Sequence, residues 1–265
     1  MNIIIPAAFV AVLGLVFGIV LTIASKKFYV ETDPRVDQVR ACCAGANCGA
    51  CGYASCDNFA EAVVNGDAPA NGCRPGGNSA AEGIAEIMGV EAALSEPIVA
   101  RVICQGSVAV AKERYIYNGI PSCRVAAGTA GGPKECRFSC IGLGDCMRRC
   151  AFDAIRMENG LCVIDETKCT GCGACVEECP RSVIRLLHKD VTVYVKCRNT
   201  DKAREARNVC MTACIACGRC KKACQYDAIT VEGGLSHIDP EKCTRCGECG
   251  KVCPTNCITL PALSE

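Results

Sequence analysis

Twenty-eight of the 265 residues are cysteine, a density at which that residue dictates architecture. The run Cys169-x2-Cys172-x2-Cys175-x3-Cys179-Pro180 recurs as Cys243-x2-Cys246-x2-Cys249-x3-Cys253-Pro254. Three thiols two residues apart lie on one loop that curls around a face of an inorganic cubane. The fourth, at the start of a helix, points away and ligates a neighbouring cluster. The chemistry this implies is one-electron transfer through four-iron centres. Paired C-x2-C motifs also make tetrahedral zinc sites. Zinc needs only four ligands, however, and leaves three close cysteines plus a Cys-Pro unexplained.

Each motif has an upstream partner. In the second copy it is Cys214-x2-Cys217-x2-Cys220-x3-Cys224. Crossing the fourth ligands predicts one cluster on Cys214, Cys217, Cys220 and Cys253 and its neighbour on Cys243, Cys246, Cys249 and Cys224. The first copy departs from this, because Leu143 stands where Cys217 would be. Its upstream motif is Cys136-x3-Cys140-x5-Cys146-x3-Cys150. The expected clusters there are Cys136, Cys140, Cys146 and Cys179, and Cys169, Cys172, Cys175 and Cys150. Nearer the N-terminus, Cys48-x2-Cys51-x4-Cys56-x16-Cys73 supplies four more thiolates, enough for one further four-iron cluster.

Five clusters leave Cys42, Cys43, Cys104, Cys123, Cys162, Cys197, Cys210 and Cys257 unassigned. Cys162 and Cys257 read as small buried hydrophobes. Cys104, Cys123, Cys197 and Cys210 form a candidate set for a sixth centre.

The elements that position these ligands are duplicated with them. Nine cysteines, from Cys123 to Cys179, reappear 74 residues later as Cys197 to Cys253. Asp153-Ala154-Ile155 matches Asp227-Ala228-Ile229, and Gly160-Leu161 matches Gly234-Leu235. Within each unit a Cys-rich loop leads to a short helix-like Asp-Ala-Ile segment. A hairpin through Gly160-Leu161 or Gly234-Leu235 then returns to a second Cys-rich loop. Ala-rich stretches over 58–64 and 82–94 predict helices, 97–110 predicts extended chain, and Val191 to Val195 alternates like a strand.

Residues 2–25 carry no charge and are long enough to span a bilayer as a helix. Lys26 and Lys27 follow directly, which by the positive-inside rule puts the remainder in the cytoplasm and the N-terminus outside. A cleaved signal peptide would carry its positive charge in front of a shorter apolar core. A reducing cytoplasm also disfavours a disulfide scaffold. The expected fold is thus an N-terminal transmembrane α-helix (1–27), then a small, mostly α four-iron–four-sulfur domain (31–90). A connecting extended segment (91–132) leads to two α+β ferredoxin-like modules in tandem (133–190 and 207–261).

A net charge of +1 gives no reason to expect nucleic-acid binding. No G-x-G-x-x-G, Walker A loop or Ser/His/Asp set is present, so no site for flavin, nicotinamide or hydrolysis is visible. His188 and His237 read as surface residues. Arg148, Arg149, Arg219, Lys221 and Lys222 flank cluster cysteines and read either as a solvated face or as a docking patch for an acidic redox protein.

With the motifs in place, the chain resembles the B subunits of the Rnf complex, a membrane-bound ferredoxin:NAD oxidoreductase. The resemblance rests on the apolar N-terminal segment, on Asn47-Cys48-Gly49-Ala50-Cys51-Gly52-Tyr53 followed by Cys56 and Cys73, and on the two ferredoxin-like units. It implies that Cys48, Cys51, Cys56 and Cys73 hold a four-iron cluster. It further implies a role in an ion-translocating complex: electrons from soluble ferredoxin or flavodoxin pass to partner subunits that reduce NAD+, coupled to Na+ or H+ transport across the cell membrane. A cluster-bearing subunit of a membrane hydrogenase or formate-oxidising complex is the alternative. Such subunits usually lack the Cys48–Cys73 module.

Overall fold

The computed structural model describes residues 4–27 and 33–260. The first three residues of the expected anchor, residues 31–32 of the first module and residue 261 of the last fall outside these. Helix α1 spans Ile4–Lys27. Its stretch Phe9–Lys27 has a mean hydropathy of 2.2 and no buried residue, so it is long and apolar enough to cross a membrane.

A three-helix module follows. In α2 (Pro34–Cys42), Asp33 caps the N-terminus by accepting from the Arg35 N–H at 2.8 Å, and Pro34 presets the first turn. In α3 (Cys56–Asn65), Ser55 accepts from the Asn58 N–H at 3.1 Å, and Gly66 closes the helix in the left-handed region. The last helix, α4 (Gly77–Met88), stops at Gly89 (φ 67°), so the helical reading of 82–94 runs past its end. Val39, Phe59 and Ile84 fill the core between the three helices, and all are fully buried. Each contributes about 1.5–3 kcal/mol.

Strand β1 (Ile98–Val102) then pairs antiparallel with β4 (Ile184–His188), Ile98 facing His188. The stretch read as a connection therefore enters the first unit. The two units repeat at the 74-residue offset in structure as in sequence. Short helices α6 (Asp145–Arg149) and α9 (Arg219–Ala223) correspond, as do hairpins β2–β3 (Ile155–Glu158, Leu161–Ile164) and β5–β6 (Ile229–Glu232, Leu235–Ile238). After each hairpin comes α7 (Ala174–Glu178) or α10 (Glu248–Lys251). Both hairpins turn on two residues with positive φ, Asn159-Gly160 and Gly233-Gly234, whose twist matches that of the strands. Two further helices, α5 (Cys123–Gly128) and α8 (Ala203–Val209), precede the upstream motif of each unit.

Asp-Ala-Ile is not helical. Asp153 and Asp227 occupy left-handed turns (φ 49° and 50°), and Ile155 and Ile229 start strands. The helix lies just upstream, where three successive residues between cysteines complete its turn. Val191 to Val195 forms no full strand either: only Val195 bridges Ile258. Tyr194 and Thr259 exchange hydrogen bonds beside that bridge. The unit cores are small. Val183 and Ile184 serve the first, Val193 and Ile229 the second, and cysteines occupy much of the rest.

Candidate metal centres

Four cavities are each lined by several cysteines. One is bounded by Cys150, Cys169, Cys172 and Cys175, another by Cys224, Cys243, Cys246 and Cys249. Both sets are those that the crossed-ligand spacing predicts, drawn from the downstream loop and the end of the upstream helix. The Ala100 N–H reaches Cys169 Sγ at 3.3 Å, so β1 helps to order the first of these.

The inner cavity of the first unit is lined by Cys140, Cys146 and Cys179 with Cys123 and Cys162, and Cys136 is absent from it. Leu143 packs with Cys123, Ala126 and Ile141, while the N–H groups of Asp145 and Leu143 point at the Cys123 sulfur. Helix α5 thus delivers a thiol to the place where Leu143 leaves none. The expected set Cys136, Cys140, Cys146 and Cys179 is not brought together. Cys136 stands apart from that cavity. It lines the fourth cavity instead, with Cys104, Cys197 and Cys210. The set of remaining cysteines is therefore gathered with one exchange, Cys136 for Cys123. Two signals in the sequence pointed there. Leu143 left one site a thiol short, and Cys210, the repeat partner of Cys136, was surplus in a unit already complete.

In the second unit, Ser236 Oγ lies 3.3 Å from Cys220 Sγ and 3.7 Å from Cys214 Sγ. Cys253 Sγ is 3.6 Å from Cys257 Sγ. Hydrogen bonding from the Cys257 thiol holds both Cys214 and Cys253 down at about 5. Cys217 is exposed at the edge of this set. Cys162 stands where Ser236 stands in the repeat, 3.6 Å from Cys146 Sγ. Contact with Cys146, and then burial, raise Cys162, while Cys146 is lowered. Cys162 and Cys257 are buried as expected (2 % exposed each), but they touch ligand sulfurs rather than merely filling space.

In the N-terminal module, α3 starts at Cys56, whose N–H donates to Asn47 Oδ1 at 2.8 Å. The N–H groups of Ala44 and Gly76 point at Cys73. The neighbouring Cys43 lowers Cys73 to about 6, while the Cys43 thiol itself donates to Val39 O at 3.3 Å. Cys48 lies in the electrostatic neighbourhood of both Cys51 and Cys172, which places this module beside the first unit's outer site.

Burial pushes Cys140, Cys175 and Cys197 up to about 12 and Cys249 to about 11. Thiols this buried ionise at neutral pH only against a cationic core. Among the described residues no three such groups come close enough to hold a single metal ion. Thiols that gather in fours around a cavity fit a polynuclear iron–sulfur core. Of the basic residues flanking the cysteines, Arg148 is engaged by Asp145, Leu143 O and Pro121 O, so it is structural. Arg149, Arg219, Lys221 and Lys222 are exposed.

Comparison with known proteins gives the family. A family described as "Putative Fe-S cluster" matches residues 44–75, and one described as "4Fe-4S binding domain" matches 162–185, 211–230 and 236–259. The B subunit of the Na(+)-translocating ferredoxin:NAD(+) oxidoreductase complex of Acetobacterium woodii is 50% identical over 91% of this chain and 72% of its own length. The B subunit of the ion-translocating oxidoreductase complex of Methanosarcina acetivorans is 40% identical over 89% of each chain. The B subunit of the proton-translocating ferredoxin:NAD(+) oxidoreductase complex of Clostridium ljungdahlii is 40% identical over 86% of this chain and 81% of its own.

Ferredoxin-like repeats behind an iron–sulfur module define an iron–sulfur protein of the multi-cluster electron-transfer class. Within that class, the chain belongs to the family of B subunits of ion-translocating ferredoxin:NAD(+) oxidoreductase (Rnf) complexes.

Proposed function

We propose that this chain takes electrons from reduced ferredoxin, or flavodoxin, and passes them to partner subunits that reduce NAD+ while Na+ or H+ crosses the cell membrane. The observation that carries this is a row of thiolate sets running from an exposed end to the module behind α1. Each set, when loaded, supplies a four-iron centre that takes up and gives back one electron at low potential.

The chain's own residues order the row. Cys217 and Cys246 are the two exposed cysteines, both in the second unit, so that end meets a soluble donor. Arg219, Lys221 and Lys222 sit beside it and attract an acidic partner. At the other end, Cys48 neighbours Cys172 and brings the N-terminal module into the row. Cys48, Cys51, Cys56 and Cys73 hold the cluster there. In the first unit Cys123, Cys140, Cys146 and Cys179 hold the inner cluster, and Cys150, Cys169, Cys172 and Cys175 the outer one. Helix α1 anchors the chain once through the membrane. Lys26 and Lys27 keep the cluster-bearing part on the cytoplasmic side and the N-terminus outside.

The test is anaerobic purification of the full chain in detergent, followed by mixing with a stoichiometrically reduced two-cluster ferredoxin. Bleaching of the broad visible absorption, with a reduced-state EPR signal on this chain, is expected. A colourless protein, or ferredoxin that stays reduced in its presence, overturns the reading.

A further inference from the structure

We propose that Cys104, Cys136, Cys197 and Cys210 hold a sixth four-iron cluster that bridges the two ferredoxin-like units. None of the four belongs to a C-x2-C run. They come from the segment after β1, the loop before α6, the inter-unit chain and the end of α8, yet they line one cavity. Cys104, Cys136 and Cys210 lie within electrostatic range of one another, and Cys197 within range of Cys104.

The surroundings are built for thiolates. Cys104 Sγ accepts from the N–H groups of Gly106 at 3.3 Å and Cys140 at 3.5 Å. Cys197 Sγ accepts from the Asn199 N–H at 3.4 Å. The side chain of Asn199 is 1% exposed and donates from Nδ2 to Cys136 Sγ at 3.5 Å, its Oδ1 held by the Asp201 N–H at 2.7 Å. Donors aimed at sulfur stabilise the charged form.

Lys134 supplies a second, independent sign. Its ammonium is buried (3% exposed), donates to Gly106 O and Gly160 O, and has no carboxylate partner among the described residues. It lies in the electrostatic neighbourhood of Cys104 and Cys140. A buried cation without an anion is costly, and an anionic cluster–thiolate assembly in the adjoining cavity removes that cost.

The position gives the site its role. Through Cys104 it meets the Cys140 amide of the first unit's inner site. Through Cys197 it lies in the electrostatic neighbourhood of Cys214 in the second's. An electron arriving from reduced ferredoxin at the second unit crosses here to the first. The site is reduced and reoxidised by one electron, and no bond is made or broken. This role rests on the electron-carrier reading above, whereas the ligand set stands apart from it.

The experiment counts clusters by native mass spectrometry of the anaerobically reconstituted full chain in detergent, with iron and sulfide analysis. Six clusters are expected. Five clusters, or five and one zinc, overturn the site. C136A, C197A and the double variant C136A/C197A are each expected to lose the same single cluster, four irons, whereas C123A/C197A loses two. A double variant C136A/C197A that loses two overturns the shared site. If a variant fails to fold, it loses every cluster and the wild-type count decides. These counts need no ferredoxin. A six-cluster chain that ferredoxin cannot reduce would overturn the function and leave the site standing.

Discussion

The backbone N–H of Cys140 donates to Cys104 Sγ at 3.5 Å across 36 residues of chain. The same amide plane belongs to a cysteine facing the first unit's inner cavity, so two neighbouring thiolate sets share one peptide's surroundings. On the other side, Cys197 lies in the electrostatic neighbourhood of Cys214. Adjacent sets therefore form a continuous row, and the row has a middle.

Interrupting the middle separates the ends. In C197A, ferredoxin is expected to reduce the second unit's clusters at the wild-type rate. Reduction of the first unit and the N-terminal module should slow at least tenfold. Freeze-quench EPR after rapid mixing measures both phases. Equal slowing of both, or of neither, would contradict the order.

Lys134 places a full positive charge beside that row. Reduction adds negative charge, which the ammonium favours. A unit charge at this kind of separation, in an effective dielectric near 20, is worth on the order of 2 kcal/mol, or roughly 90 mV for a one-electron step. Lys134→Met is isosteric enough to keep the packing. It is expected to lower the potential of the clusters beside Cys104 and Cys140 by tens of millivolts, as read by EPR-monitored redox titration, and to leave those of the second unit's outer site unchanged.

How far the sequence reached depends on where the ligands come from. Cys169 to Cys179 and Cys243 to Cys253 lie within single loops, so covalent spacing alone specified their geometry. Cys123 could not be assigned in that way, because only the packing of α5 against Ile141 and Leu143 brings it to the inner cavity. Cys136 shows the complementary case: proximity in sequence to Cys140 suggested a shared cluster, but the two residues line different cavities. The Asp-Ala-Ile segment misled through composition. Its helix-forming residues sit on a left-handed turn at Asp153 that propensity does not register.

Ser236 and Cys162 occupy equivalent places, each against a ligand sulfur. A hydroxyl donates a stronger hydrogen bond to thiolate than a thiol does. Ser236→Ala should therefore lower the potential of the second unit's inner cluster by about 1 kcal/mol, roughly 40 mV. Cys162→Ser should raise that of the first unit's inner cluster by a smaller amount. The same titration, with each cluster followed by its own EPR signal, checks both directions.

Lys221 and Lys222 project into solvent on α9 next to Cys220, with exposed Cys217 just before that helix. Steering by such a pair raises encounter rates and is screened by salt. The charge-reversal variant K221E/K222E is expected to slow reduction by ferredoxin about tenfold at low ionic strength and to flatten the dependence of the rate on salt. Stopped-flow absorbance across a salt series measures this. An unchanged salt slope would place the docking surface elsewhere.

The mechanical tie between β1 and the first unit is also testable. Gly171 adopts φ +65° in the loop between Cys169 and Cys172, and a Cβ there would overlap the carbonyl oxygen of Ile98. Ile98 opens the β1–β4 ladder, and two residues on, the Ala100 N–H donates to Cys169 Sγ. Gly171→Ala must therefore push the loop off the strand as well as strain its own backbone. A cost of about 2 kcal/mol is expected, or roughly 4–8 °C in Tm. Gly128, where a Cβ meets nothing within 4 Å, provides the control: Gly128→Ala should leave Tm in place. The displaced amide no longer supports Cys169, so the outer site of the first unit should also bleach faster in air than the other sites. Thermal denaturation under anaerobic conditions separates the first effect from the second, because only the loss of stability persists when oxygen is excluded.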